Sequence, residues 1–471
     1  MKKFLLVITM INLAMTLTAV DLPTFAELKD ELNVSSLPLV NLTVDISTVN
    51  RNEYVIGAIE IVEYDLRSKH PSSQEFACKL KYRGATAATK NKKAFAVKLI
   101  NDEGKSLDAN IFGIRETDNW ILDAMAIDRI RMRNRLCFDL WNEMNKTPYD
   151  TDYDNRNGTK GQFVEVFING NYNGLYCLTD KIDRKLLNLK KAKEDKEGNV
   201  TINGIMYKGD TWDFGWNLLS YEEARTDTTQ WGAFELQYPD DYPSINTWQP
   251  LMDLIDYCSK KTDDEYFLAN YNDYFYLDNL VDYLLFTTVL GIGDCCWKNS
   301  FLSTPNINDG HKWMVTRWDL DMSLGGNYDG DYYDKTMTFT RFNTRAPYNR
   351  LYSQTEFQEL LQQKWLALGG DIFSRQKIMR RINKYRDMFA LSGAWEREYQ
   401  RWNGDPVPLT QDIDDELDYV ADWYDRNYAE LCRQLGVPSS ADIDNIKRDI
   451  NNDGEVDVTD VVKLAISVMG I

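Results

Sequence analysis

Phe163-Val164-Glu165-Val166-Phe167-Ile168, then Asn169-Gly170-Asn171, then Leu175-Tyr176-Cys177-Leu178: this stretch decides the fold class. Two runs rich in β-branched and aromatic residues flank an Asn-Gly pair, which tolerates the positive φ angles of a tight hairpin. Upstream, Val40-Asn41-Leu42-Thr43-Val44-Asp45-Ile46 carries apolar side chains at every second position, and 56–62, 76–82 and 94–100 continue as strands. Between them, 120–144 reads as a helix, with apolar residues at Leu122, Met125, Ala126, Ile130, Leu136, Leu140 and Met144. Downstream, 181–196 reads as a basic helical face and 205–208 as a short strand. Beyond Trp248 the chain turns helical at 250–258, 273–290, 355–368, 375–391 and 413–435, with a hairpin over 300–323. Strands first and helices later predict an α+β fold: an antiparallel β N-terminal part and a mainly helical C-terminal part.

The chain has 471 residues and a formal charge of −19, which argues against nucleic acid or an anionic membrane as partner and suits divalent cations and basic protein substrates. Its two histidines, His70 and His311, lie beside no candidate nucleophile, so Ser-His-Asp, Cys-His and His-rich zinc chemistry are not expected. Lys2, Lys3 and the apolar run 4–17 predict an export signal over 1–20, with no membrane span after its removal and a secreted, cell-surface or periplasmic location. The seven cysteines, widely spaced and without a C-x-x-C pair, read as buried thiols.

Residues 449–460, Asp-Ile-Asn-Asn-Asp-Gly-Glu-Val-Asp-Val-Thr-Asp, fit a calcium loop of the EF-hand type. Asp449, Asn451, Asp453, Asp457 and Asp460 supply side-chain oxygens at positions 1, 3, 5, 9 and 12; Gly454 makes the turn and Glu455 occupies position 7, whose carbonyl faces the ion. Gly436-Val437-Pro438-Ser439-Ser440 predicts a linker over 436–441, which makes 442–471 a separate loop-helix module behind an N-terminal segment (21–36) and a main domain (37–435).

Within the main domain, Gly293-Asp294-Cys295-Cys296-Trp297-Lys298-Asn299 holds the D-x-x-x-x-N spacing of a kinase catalytic loop, where the Asp takes the substrate's hydroxyl proton and the Asn binds magnesium. Trp318-Asp319-Leu320-Asp321 follows a predicted strand, where a kinase places its magnesium-binding Asp. G-x-G-x-x-G, H-R-D, V-A-I-K and D-F-G are absent, and Gly204–Gly209 misses a P-loop because Asp210 stands where Lys is needed.

Several motifs together resemble the CotH family of atypical secreted protein kinases. They are Tyr82-Arg83-Gly84-Ala85-Thr86, Lys92-Lys93-Ala94-Phe95-Ala96-Val97-Lys98, Trp120-Ile121-Leu122 through Asp128 to Arg133-Asn134, Phe167 to Tyr176, Tyr207-Lys208-Gly209-Asp210, and Trp318-Asp319-Leu320-Asp321. The resemblance implies a two-lobed, kinase-like domain that uses ATP and Mg2+ (or Mn2+) on an extracellular or cell-surface protein. It makes Asp294 the catalytic carboxylate and Asp319, Asn299 and Asp321 the metal ligands. A lysine of the Lys92/Lys93/Lys98 strand, with Lys93 the one singled out, and Lys208 become phosphate contacts, and Asp180 stands where the family carries Glu. Arg83, Arg133 and Asn134 are read as turn-holding or helix-capping. The tail resembles one repeat of a dockerin, with Ca2+ as its ion; dockerins pair two repeats to bind a cohesin, and one is found here. Two other readings are a polysaccharide-associated component, from the 13 Trp and 27 Tyr, and a non-catalytic assembly protein.

Overall fold

The computed structural model describes residues 22–439, except 151, 153, 224–226, 295, 296 and 311. The expected export signal and calcium module, together with Cys295, Cys296 and His311, lie outside these residues. The architecture is α+β, sheet-rich in its N-terminal part and helical in its C-terminal part.

The Asn-Gly turn is as expected: Ile168 pairs with Asn171, and Asn169 and Gly170 take φ 50° and 81°. The hairpin strands belong to a larger set: β1 (Leu39–Thr43), β2 (Val55–Asp65), β3 (His70–Tyr82), β4 (Phe95–Ile100), β5 (Asn119–Asp123), β6 (Gly161–Ile168) and β7 (Asn171–Asp180). An antiparallel sheet was expected; these strands go further and close into a barrel in the order β1-β2-β3-β4-β5-β7-β6. Closure comes from β1, which pairs antiparallel with β2 (Leu42↔Ile59) and parallel with β6 (Val40↔Val166). Closing leaves no unpaired edge. Alternation along each strand then fills the interior with Val40, Leu42, Ile59, Leu80, Val97, Leu122, Val164 and Leu178, each at most 1% exposed.

A second sheet has the order β9-β10-β8-β11-β12, from β8 (Ile205–Gly209), β9 (Gln230–Trp231), β10 (Phe234–Tyr238), β11 (Ser300–Thr304) and β12 (Met314–Arg317). The hairpin read over 300–323 is β11 and β12, ending at Arg317. The helices are α1 (Phe25–Asp30), α2 (Arg133–Met144), α3 (Ile245–Cys258), α4 (Asp264–Tyr274), α5 (Leu277–Val289), α6 (Tyr348–Leu351), α7 (Thr355–Gly369), α8 (Arg375–Leu391), α9 (Ala394–Trp402) and α10 (Asp414–Leu435). Residues Asn279 to Val289 of α5 are all buried, so this helix, apolar on every side, is the core around which the others pack. Among the described residues no helix is long and apolar enough to cross a membrane.

Two local expectations are corrected. The helix read over 120–144 begins only at Arg133, because 119–123 is the strand β5, bonded to β4 and β7. The Asp128 carboxylate then stops the strand pattern: it accepts from the amides of Ile130, Met132 and Arg133 and pairs with the Arg133 guanidinium at 2.5 Å. The helix read over 181–196 is a turn at 184–188 followed by extended chain, in which Lys193–Glu194 pairs with Val200–Thr201. There, Ile182, Leu186, Leu187 and Leu189 pack on Met206, Phe301 and Met314, a spacing that tertiary contact satisfies with a single turn, closed by Leu187 N donating to Asp183 O, and no continuing helix.

Five of the seven cysteines are described and all five are buried; Cys78, Cys137, Cys177 and Cys258 are free thiols. Burial pushes the Cys78 and Cys137 thiols up to about 12, so they stay protonated and act as packing groups.

Candidate active site

Gly209 ends β8 at a point where another segment crosses it. A Cβ here would lie 1.8 Å from the Trp297 carbonyl oxygen, so only glycine admits the 297–299 loop. The crossing is fastened by Asn299 N donating to Gly209 O at 2.8 Å, and Trp318 N donates to Asn299 O at 3.0 Å. Three sequence motifs more than eighty residues apart at their extremes, 208–210, 294–299 and 318–321, are thereby stitched together through their backbones. Trp297, Asn299 and Asp319 take φ of 77°, 53° and 56°. Such angles cost non-glycine residues energy and concentrate where a side chain must be aimed.

The side chains line a cleft of about 500 Å³ between one end of the barrel and the second sheet. Lys208, Asp294, Asn299, Asp319 and Asp321, all singled out from sequence, meet there. Asp294 Oδ2 accepts from Lys298 Nζ at 2.5 Å and from Asn299 Nδ2 at 3.0 Å. Lys208 Nζ pairs with Asp210 Oδ1 at 2.5 Å. The 83–87 turn covers one wall, and Arg83 stacks over the Trp318 ring at 5.2 Å.

Sequence reasoning passed over Asp123, Asp210 and Lys298, which also line the cleft, and treated Arg83 and Asn134 as structural only. Asp123 ends β5 and was hidden by the helical reading of 120–144; an acid closing a strand is the signal that would have exposed it. Its Oδ2 accepts from Asn134 Nδ2 at 2.7 Å.

Two predicted residues lie elsewhere. Lys93 Nζ donates to the Ala88 carbonyl at 2.9 Å, bracing the turn that covers the cleft rather than entering it. Asp180 is fully buried at the end of β7, 2.7 Å from both Arg115 Nε and Arg156 Nη2, and also accepts from Lys160 N. It locks the barrel's end and is no partner of Lys93 or Lys208. The neighbouring Lys92 is buried against Glu398 of α9 at 2.5 Å, and Arg131 Nε reaches the same carboxylate oxygen at 2.7 Å.

Asp319 is exposed at the cleft, although protein surrounds it deeply. That partial desolvation raises its carboxyl; Asp123 and Asp294 add to the rise, and Arg83 and Lys208 oppose it. Asp321 is pushed well above the ordinary range by burial and by the carboxylates of Asp319, Asp123 and Asp128. The lining as a whole is balanced, five Asp against five Lys or Arg, so the mutual repulsion of carboxylates is local to Asp319, Asp321 and Asp123.

Among the described residues no three His, Cys, Asp or Glu converge as a protein-only metal cage. Oxygen donors that are spread out fit magnesium, which is held by one or two carboxylates together with substrate phosphates and water. Asp319, Asp321 and Asn299 are the residues that would hold it.

The CotH kinase protein model matches residues 80–431, a span that includes every carboxylate of the cleft. The chain belongs to the CotH kinase family. Membership suggests an atypical protein kinase, and a kinase implies ATP and a divalent metal. No curated protein matches the chain. Within a CotH domain, the barrel supplies Arg83 and Asp123 to the cleft, and the second sheet and its loops supply Lys208, Asp294, Asn299, Asp319 and Asp321.

Proposed function

We propose that this CotH-family chain is an exported protein kinase that moves the γ-phosphoryl group of ATP to a Ser or Thr hydroxyl of an extracellular or cell-surface protein, in two lobes that meet at the cleft. The observation that carries the reading is the convergence of Asp294, Asn299, Asp319, Asp321 and Lys208 on one cleft from segments far apart in sequence. Phosphoryl transfer needs positioning and charge neutralisation more than covalent chemistry from the protein, and this donor set suits both.

Asp294 takes the proton of the acceptor hydroxyl. Lys298 and Asn299 both donate to its Oδ2, and Oδ1 accepts from no described residue. Holding the carboxylate by one oxygen orients the other as the base. Lys208 and Arg83 offer positive charge to phosphate oxygens, and the Arg83 guanidinium lies over the Trp318 ring. Mg2+, when bound, supplies neutralisation of the phosphate charge.

The tail adds a Ca2+ site at Asp449, Asn451, Asp453, Glu455, Asp457 and Asp460. A single dockerin-like repeat serves as a small tether or stabilising tail. The tryptophan content that suggested a glycan surface serves the core instead: Trp120, Trp141, Trp248, Trp297, Trp313, Trp365 and Trp423 are each at most 2% exposed.

The test is transfer of labelled phosphate to a mixed basic protein substrate with ATP and Mg2+ or Mn2+. Asp294→Ala should lower the rate by on the order of 10²- to 10⁴-fold, the usual contribution of a positioned general base. Equal transfer by the wild type and Asp294→Ala would remove the assignment.

A further inference from the structure

The helix α8, Arg-Gln-Lys-Ile-Met-Arg-Arg-Ile-Asn-Lys-Tyr-Arg-Asp-Met-Phe-Ala-Leu over Arg375–Leu391, is out of character for this chain. It carries six Lys or Arg against the single acid Asp387, in a protein of formal charge −19. Ile378, Ile382, Tyr385 and Phe389 bury one face. The opposite face borders a groove of about 1150 Å³ that runs from the Gly369-Gly370 end of α7 to Leu391. Lys377 is answered by Asp371 and Arg375 by Asp425. Arg380 and Lys384, both exposed and both lining the groove, meet no carboxylate among the described residues. Met379 and Met388 are half-buried along it, and Leu391 is 73% exposed. A groove with cations in the middle and apolar side chains alongside suits an acidic, amphipathic chain segment.

Such a segment leaves the fold next to this groove. α10 ends at Leu435, whose carbonyl accepts from Gln362 Nε2 of α7 at 2.6 Å. From Gln362 to Gly369 is about 10 Å along a helix, and α8 itself spans about 25 Å. The stretch 440–471 reaches much further than this when extended, at about 3.3 Å per residue. It holds seven Asp or Glu against three Lys or Arg, and its 461–469 run is predominantly apolar. Its charge is opposite to that of α8 and of the same sign as most of the remaining surface.

We infer that the acidic segment 440–471 of this chain docks along the basic groove of α8, with Asp442 and Asp444, which precede the calcium loop, on Arg380 and Lys384 and its apolar residues on Met379, Met388 and Leu391. The docking is intramolecular, because the effective concentration of a segment tethered at the groove's end exceeds that of a free partner. It holds the calcium module against the helical side of the molecule, on elements other than those that line the cleft. It does not depend on the kinase reading.

The experiment uses the full chain with calcium present, at low ionic strength, where attraction between exposed charges is least screened. Zero-length carbodiimide coupling followed by peptide mapping should join Lys377 or Lys384 to Asp442 or Asp444 within one chain, and coupling should fall at least tenfold in 1 M salt. Independently, hydrogen exchange across 440–471 should speed up at least fivefold in the R380E/K384E variant, whose two exposed substitutions leave the melting temperature unchanged. Links only between two chains would make a second copy the occupant and overturn the proposal. So would the absence of links to the tail, or tail exchange that is the same in the variant and the wild type.

Discussion

Asn134 donates from Nδ2 to Asp123 Oδ2 at 2.7 Å, and its own Oδ1 accepts from the Leu320 amide at 3.1 Å. One side chain on the first turn of α2 therefore spaces the barrel's acid, Asp123, from the Asp319-Leu320-Asp321 segment. This makes Asn134 a positioning residue. Asn134 thereby fixes the Leu320 amide between Asp319 and Asp321, the carboxylates proposed to hold the metal, and losing such an outer partner commonly costs about 10- to 100-fold in affinity or activity. Asn134→Ala should lower phosphate transfer by about that factor, with the loss appearing as a raised Mg2+ requirement in a metal titration. A uniform fall at every metal concentration would mean that the residue only holds the fold.

Gly209→Ala should damage the cleft more than its one added methyl suggests. The new Cβ meets the Trp297 carbonyl at 1.8 Å, and a backbone atom cannot swing aside as a flexible side chain can. Overpacking of this kind costs typically about 1–3 kcal/mol, and relief requires the 297–299 loop to lift off β8. The prediction is a lower urea midpoint together with loss of ATP binding by calorimetry; an unchanged midpoint would contradict it.

Asp180→Asn separates stability from chemistry. The Asp180 carboxylate is buried between Arg115 and Arg156 and does not line the cleft. Breaking one side of a buried ion pair costs about 3–5 kcal/mol, chiefly from the charge left unpaired. The variant should unfold at markedly lower denaturant while its folded fraction binds nucleotide as the wild type does. Lys208→Ala should show the converse, with weaker ATP binding at near-native stability.

Acid should destabilise the protein through Glu398. Burial alone would raise this carboxyl, but the charges of Lys92 and Arg131 outweigh it and hold Glu398 below the usual carboxylate range. Burial pulls Lys92 in turn down to about 7, against the attraction of Glu398. Glu398 is flanked by two cations and Lys92 by one anion, so the carboxylate is the charge that persists. A carboxyl depressed on folding contributes stability that is fully present above its unfolded value near 4.5 and is lost as pH falls through the lower folded value. Denaturant midpoints measured from pH 7 to 3 should drop more steeply for the wild type than for Glu398→Gln, which starts about 3–5 kcal/mol less stable. Parallel curves would show that Glu398 is not the responsible group.

Removal of calcium should act on the tail alone. Chelator is expected to raise hydrogen exchange from Asp442 onward, and Asp453→Ala to reproduce the effect, while ATP affinity in the cleft stays the same. A large loss of that affinity in chelator would show that the ion at the tail and the cleft are coupled.

Much of the site was readable because it depends on short-range spacing. Asp294 and Asn299 are five residues apart on one loop, and Asp319 and Asp321 follow a strand whose alternation is local. Lys93 and Asp180 were another matter. Each sits at a plausible place along the chain, yet where a lysine points depends on what lies across from it. Lys93 meets the Ala88 carbonyl of its own turn, and Asp180 meets two arginines from separate loops. Asp123 was missed because apolar spacing over 120–144 is compatible with a helix until β4 and β7 claim 119–123 as a strand.

The sequence by itself determined the α+β class, the Asn169-Gly170 hairpin, the long C-terminal helices and the carboxylates of the two acidic motifs. All of these follow from periodicities of two or 3.6 residues and from turn chemistry, which act over a few neighbours. Only the tertiary structure decided that the N-terminal strands close into a barrel, that Gly209 lets the 297–299 loop cross β8, and that Asp123 and Arg83 face the acids of the second sheet. Those outcomes rest on pairings between residues tens to hundreds of positions apart, such as Val40 with Val166, and on atoms that exclude one another at van der Waals distance. Neither leaves a local mark in the order of the residues.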